Sequence, residues 1–583
     1  MKKIINNPQN VVIEMCKGIA LAHPELKLNT KYKIFKRRQL NVNKVSLISG
    51  GGSGHEPAHV GFVGKGMLDA AVCGDVFASP SQMQVYKAIT ETASNKGTLL
   101  IIKNYSGDMM NFRNAAYLAE EDGITVDYIK VDDDIAVQDS LYTVGRRGVA
   151  GTVFVHKIVG AAAERGMELT EVKRIARKAV NNVKSLGFAF SSCTVPAKGT
   201  PTFELAESDM EYGVGIHGEP GIKREKVLTA DELAKRITGA LVKELKLNKE
   251  DEAAILVNGF GSTPLQELYI LNNAVYKELQ KNKIKAPRIL VGNFMTSIDM
   301  EGASVSIIKL DEELKELLSD SCDTPALKIN TWNETLDEEI IQETCTSQKV
   351  TYEVETDNAY SVIKDKKITL ENIIYMVDCM SECIIRNEVP FCELDSHAGD
   401  GDFGMSVAKG FRQLKVEWKE IINQNTENIG DFLNACSMVI MEYCGGASGP
   451  IWGSAFRMAS KCVGNKTKLN INEFAGMIQA AVEGIQATGK RSFGRGAVVG
   501  DKTLIDALVP CANALSELSK SSEEVHRILK EAAKEAVDGA KATEMIVAHM
   551  GRAGTVGERS LGYPDAGAYA LGVIFTEVAD RMK

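Results

Sequence analysis

A chain of 583 residues is too long for a single hydrophobic core and reads as several domains. With 44% hydrophobic and 25% charged residues it has the composition of an ordinary globular protein and not of a disordered one. A formal charge of -9 argues against a nucleic-acid partner, and the short clusters Lys36-Arg37-Arg38 and Arg146-Arg147 read as solvated charge. No apolar segment follows the N-terminal lysines and no run approaches the roughly 20 apolar residues of a membrane helix, so neither a signal peptide nor a membrane span is expected. Twelve cysteines without a framework of short spacings fit reduced thiols in a cytoplasm. Cys379 and Cys383 have no second pair at zinc-site distance and read as core thiols.

In chain order, Val45–Ser49 is an apolar run ending in Gly50-Gly51-Gly52-Ser53-Gly54, and Leu99–Lys103 ends in Asn104-Tyr105-Ser106-Gly107-Asp108. Ile124–Val131 ends in three aspartates, a helical stretch begins at Thr170, and Ala254–Val257 and Ile289–Val291 again run into glycine turns. Short β-rich runs alternating with glycine turns and helices predict an α/β half with mostly parallel sheets, whose ligands bind beyond the carboxyl ends of the strands. The end of the long helix divides this half into 1–185 and 186–330.

Residues 331–366 are polar and acidic without a period and read as a linker. From 367 to 583 apolar residues recur at three- and four-residue spacing, over Leu370–Arg386, Ile429–Tyr443, Ile471–Gln486 and Ser522–Ile546, which predicts an all-α bundle. Gly484-x4-Gly489-Lys490 mimics a P-loop, but Arg491 stands where a hydroxyl is required and the segment follows a helix. It reads as a helix C-terminus with a glycine stop.

The strongest chemical signal is Glu393-Leu394-Asp395-Ser396-His397-Ala398-Gly399-Asp400-Gly401-Asp402-Phe403-Gly404. Three aspartates in one loop repel unless a cation neutralises them, and hard oxygen ligands favour Mg²⁺ or Ca²⁺; the alternative is a solvated acidic turn. Gly445-Gly446-Ala447-Ser448-Gly449-Pro450 can cradle phosphate with backbone N–H groups at a helix start. Further glycine loops run from Gly494 through Gly500-Asp501-Lys502-Thr503 and from Gly551-Arg552 to Asp565-Ala566-Gly567. In the first half, His55 follows a strand and a glycine turn, and His217 lies between Gly215 and Gly218, uncrowded enough for a ligand to approach. From that segment alone a structural role for His217 is equally open. His23, His59, His156, His526 and His549 lack such a setting and read as structural.

GGGSGHEP, NYSGDMMNF, GIHGEPG, ELDSHAGDGDFG and GGASGP, in that order, resemble the dihydroxyacetone kinase family in its single-chain, ATP-using form. The resemblance implies a ketose-binding half of two α/β subdomains, an eight-helix barrel binding ATP with two Mg²⁺ ions, and a homodimer. It implies that His217 forms a hemiaminal with the substrate carbonyl, that His55 and Asp108 act as bases, and that Gly52, Ser53, Gly54, His55, Lys103 and Asp108 contact the ketose. Asp395, Asp400 and Asp402 would hold metal. Gly401, Phe403, Gly404, Ala447, Ser448, Gly500, Arg552, Asp565, Ala566 and Gly567 would surround the nucleotide. Ala447 in place of a serine and Asp565-Ala566-Gly567 in place of Asp-Pro-Gly depart from the family pattern. The implied activity is phosphorylation of dihydroxyacetone. Alternatives are erythrulose as acceptor, flavin-nucleotide cyclisation (an FAD-AMP lyase) on the same metal site, or a ligand-sensing regulator, against which the full histidine and aspartate set argues.

Overall fold

The apolar runs of the first half assemble into two six-stranded sheets. The computed structural model describes residues 2–138, 145–219, 221–330, 352–424, 427–521, 523–550, 554 and 557–583, and the chain divides into two units, Met1–Gln342 and Glu343–Lys583. The stretch read as a linker lies outside the described residues from 331 to 351.

The first sheet contains β1 (Leu26–Asn29), β2 (Ile34–Arg37), β3 (Ser46–Ser53), β4 (Ala70–Val76), β5 (Thr98–Lys103) and β6 (Val126–Val131), in the order β1-β2-β4-β3-β5-β6. Its β4-β3-β5-β6 core is parallel. β5 is buried along its whole length because helices cover both faces. Alternation sends Leu100 and Ile102 to one side, against Phe112 and Ala115 of the helix Ser106–Glu121, and Leu99 and Ile101 to the other. That other side meets the helix Thr152–Glu164, which is buried all round from Thr152 to Ala163.

The second sheet contains β7 (Val183–Ala189), β8 (Asp209–Tyr212), β9 (Lys223–Lys226), β10 (Glu252–Gly259), β11 (Lys285–Gly292) and β12 (Gly302–Leu310), in the order β11-β10-β12-β7-β8-β9. Here the expectation of mostly parallel strands fails: β10 and β11 are parallel and every other pair is antiparallel. The connections explain it. A helix, Leu265–Lys281, joins β10 to β11, but β11 passes to β12, and β7 to β8 and β9, without an intervening helix. Ala254, Leu256 and Ile308 of this sheet enter the same core as Leu99 and Ile101, so one apolar layer serves both sheets.

The second unit is helical. Eight long helices, Leu370–Arg386, Phe403–Val416, Ile429–Tyr443, Ser448–Val463, Ile471–Phe493, Ile505–Leu518, Val525–Ala542 and Ala566–Arg581, each pack on the next, and the last packs on the first, closing a ring. Thr369 with Asn372 and Asn470 with Glu473 form capping boxes that start two of them. The P-loop mimic lies inside Ile471–Phe493, and the glycine that stops this helix is Gly494, at φ 78°, not Gly489. Cys379 and Cys383 are buried in the ring's core, and the described cysteines are free thiols. Among the described residues no helix is long and apolar enough to cross a membrane.

Where the chain enters the ring, Lys415 and Asp378, both fully buried, pair at 2.5 Å. Asp378 also accepts the N–H groups of Glu355 and Thr356, and Lys415 donates to the carbonyl of Glu353. Lys415→Met leaves a buried carboxylate without its cation and is expected to destabilise the helical unit by about 3–5 kcal/mol. Urea unfolding of the full chain, followed by helical circular dichroism, measures this; an unchanged midpoint contradicts it.

Candidate active site

Each unit carries one constellation. In the α/β unit, β3 and β5 deliver their carboxyl ends side by side. Gly52 is held so close to Phe77 and Ala78 that a Cβ would lie 2.7 Å from their backbone, and Gly54 adopts φ +107°, which excludes larger side chains. This turn places His55, fully buried, with Nδ1 2.8 Å from the carbonyl of Thr296. A carbonyl only accepts, so Nδ1 carries the proton and Nε2 offers a lone pair. That Nε2 lies 3.2 Å from Nε2 of His217, which stands in the loop between β8 and β9.

His217 keeps partial exposure yet is ringed by His55, Phe77 and Tyr105, the last with its centroid 4.4 Å away. Lys103 ends β5, and Asp108 lies in the first turn of the following helix. They converge over Gly51, whose absent Cβ would be 3.3 Å from Nζ of Lys103 and 3.4 Å from a carboxylate oxygen of Asp108. Nζ of Lys103 is buried without a hydrogen-bond partner, a donor that a bound hydroxyl or carbonyl would satisfy. Ser79 donates to Asp108, and Ser53 donates to the carbonyl of Gly74 at 2.8 Å.

The electrostatics favour neutral imidazoles. Burial first, and then the nearby Lys103 charge, lower the pKa of both His55 and His217 well below the ordinary histidine value. Burial raises Asp108, with Lys103 and Ser79 opposing, while burial lowers Lys103, with Asp108 and Asp133 opposing. His59 and His156 form a second pair at 3.0 Å, both buried.

In the helical unit, Asp395 ends the helix Glu388–Asp395, Asp402 precedes the helix Phe403–Val416, and Asp400 lies in the loop between. One carboxylate oxygen of each falls within 4.8 Å of the others, a hard-oxygen set that fits Mg²⁺. Asp395, Phe403, Ala447, Ser448, Asp565, Ala566 and Gly567 line one recess. Ser448 starts the helix Ser448–Val463, directing backbone N–H groups there. Asp565 caps the last helix through the N–H of Ala568, and burial pushes its carboxyl up to about 7.

Other expected nucleotide contacts are placed differently. Gly404 faces the carbonyl of Glu388, where a Cβ would approach to 2.1 Å, so its smallness serves helix packing. Gly500 gives its N–H to Asp506, and neither it nor Gly401 lines the recess. Arg552 lies outside the described residues. Lys502 and Thr503 of the Gly500 loop line the recess, as do Trp452 and Met550, which no motif marked. Lys502 donates to the carbonyls of Ser560 and Tyr563, tying two of the glycine loops together. The Arg146-Arg147 cluster also departs from expectation: Arg147 is buried, not solvated, because Asp134 and Glu219 pair with it.

A Dak1 domain model matches residues 17–326 and a DAK2 domain model matches 397–580, which defines the class: an α/β Dak1 module followed by a helical DAK2 one. The chain is 32% identical over 594 positions to Triokinase/FMN cyclase of Rattus norvegicus, spanning 100% of this chain and 99% of that protein. It is 30% identical over 586 positions to L-erythrulose 1-kinase of Mycolicibacterium smegmatis, spanning 100% of both. The crystal structure of the dihydroxyacetone kinase from C. freundii in complex with AMP-PNP and Mg²⁺ matches with a TM-score of 0.57 at 30% identity over 99% of each chain. The chain belongs to the single-chain dihydroxyacetone kinase family.

The second histidine pair yields a pH prediction. Burial pushes His156 down to about 3 from an ordinary 6.5, so the unfolded chain takes up its proton first as pH falls. The stability this neutral group contributes is complete above pH 6.5 and is lost as pH falls toward 3. Across that window the parent should lose stability faster than His156→Gln, by about 1.4 kcal/mol per pH unit. Urea unfolding of both proteins at several pH values measures the difference, and equal slopes contradict it.

Proposed function

We propose that this chain uses ATP to phosphorylate a small ketose, foremost dihydroxyacetone, while holding it as a hemiaminal on His217. The observation that carries the reading is the 3.2 Å approach of the His55 and His217 Nε2 atoms, beside Lys103 and Asp108. A neutral imidazole is nucleophilic, and only a ketone or aldehyde can accept it. Nε2 of His217 bonds to the carbonyl carbon while the C=O π bond opens. The proton on that Nε2 passes to the Nε2 lone pair of His55, which frees the electron pair that forms the bond, and goes on to the carbonyl oxygen. N–H and C=O thus become N–C and O–H with atoms balanced. Lys103 steadies the oxygen. Glycerol has no carbonyl and is excluded by chemistry and not by size.

Asp108, or His55 through the same Nε2, takes the proton of the terminal hydroxyl as its oxygen bonds to the γ-phosphorus and the bond to the bridging oxygen of the leaving ADP breaks. The raised pKa of Asp108 makes it a better base near neutral pH. Asp395, Asp400 and Asp402 would hold Mg²⁺, which when bound neutralises phosphate charge during transfer. The N–H groups at Ser448 and the recess from Phe403 to Gly567 would receive the nucleotide. Two Mg²⁺ ions and a homodimer belong to the same reading and rest on the family resemblance; a cytosolic location rests on the free thiols. A four-carbon ketose such as erythrulose, or cyclisation of a flavin nucleotide on the same carboxylates, uses the same groups, and the names of the two relatives support keeping both in the assay.

The test is ATP consumption with Mg²⁺ against dihydroxyacetone, erythrulose and glycerol in parallel. Turnover with a ketose and none with glycerol is expected; no turnover with either ketose contradicts the proposal. Asp108→Asn should lower kcat by about 10²–10⁴-fold. Asp400→Ala should abolish turnover while ketose binding persists, and undiminished turnover in that variant excludes the metal assignment.

A further inference from the structure

Arg147 makes three directional contacts from a side chain only 2% exposed. Nε donates to Asp134 at 2.7 Å, Nη1 to Glu219 at 2.9 Å, and Nη2 to the carbonyl of Gly213 at 2.9 Å. The second oxygen of Glu219 accepts the backbone N–H of His217 at 3.0 Å. The guanidinium therefore grips the His217 loop on both sides, at Gly213 and at Glu219. Gly215 in between has no room for a side chain: a Cβ there would lie 2.0 Å from Glu219 and 2.7 Å from Nη1 of Arg147. The other end of the fork is fixed, because Asp134 follows β6 and bridges to Ser185 on β7.

We propose that Arg147 is a positioning residue for His217, fixing the loop through Glu219 and Gly213. The inference rests on the reading of His217 as the ketose nucleophile. The groups around His217 are consistent with it. His55, Tyr105 and Phe77 face the ring, and the cations near it are Lys103 and Arg147. Burial is the first cause of the lowered His217 pKa, Lys103 the second and Arg147 the third. Asp134 and Glu219 hold the guanidinium charged against its own burial. A lysine could keep the charge but not the fork, because three separate directions are used at once.

The experiment is a histidine-labelled ¹⁵N NMR titration of the full chain, with dihydroxyacetone binding measured on the same samples. In Arg147→Met, His217 should take up its proton at higher pH than in the parent, and ketose capture should weaken by about 10²-fold, the order expected for a displaced reacting group. In Arg147→Lys the titration should stay near that of the parent while capture weakens. Glu219→Gln, whose single amide oxygen cannot accept from both Arg147 and the His217 N–H, should also weaken capture. An Arg147→Met chain with an unchanged His217 titration and unchanged capture overturns the proposal. If that variant does not fold, Arg147→Lys capturing ketose as the parent does overturns it equally. A parent chain that binds ketose without a covalent bond overturns the hemiaminal reading alone, because the titration still reports what Arg147 does to His217.

Discussion

An imidazole attacks a carbonyl only while it is neutral, and the role proposed for His217 makes that the constraint on the α/β unit. Burial provides most of it, enclosing His55 completely and His217 partly behind aromatic rings. The cations Lys103 and Arg147 provide the rest. Burying two cations is costly unless opposite charge accompanies them. Asp108 and Asp133 answer Lys103, while Asp134 and Glu219 answer Arg147. The strands hold this set in place: β3, β5 and β6 end together, so the glycine turn, Lys103 and the aspartates arrive from one edge of one sheet.

The helical unit meets the opposite electrostatic condition. Three carboxylates within 4.8 Å repel one another, and a cation relieves that repulsion. Their positions follow from the ring: a helix end, a loop and a helix start bring short side chains to one rim. The adjoining loops reach the same rim, and Lys502 binds two of them together through backbone carbonyls. Positive charge there holds loops, while Ser448 starts a helix at the recess.

Much of this was legible in the sequence because the signals were local. The helices Leu370–Arg386 and Ile429–Tyr443 follow their apolar period to the residue, and the glycine turns after β3 and β5 mark where the ligand groups gather. What failed depended on partners far away in the chain. The strand directions of the second sheet depend on which strands become neighbours, not on their apolar runs. Arg147 looked solvated because Asp134 and Glu219 are recognisable as its partners only once the loops fold together. Gly404 and Gly215 sit in motifs that suggest ligand access, yet each glycine makes room for neighbouring protein atoms. Gly489 did not end its helix because the tertiary ring carries the helix on to Phe493.

The account turns on a covalent bond at His217, and ¹³C NMR of the full chain with carbonyl-labelled dihydroxyacetone, without ATP, reads it directly. The account predicts that the bound label leaves the carbonyl region for that of a carbon bearing one oxygen and one nitrogen, and that His217→Ala abolishes the signal. A bound ketose whose label keeps its carbonyl resonance, or an adduct undiminished in His217→Ala, would contradict it.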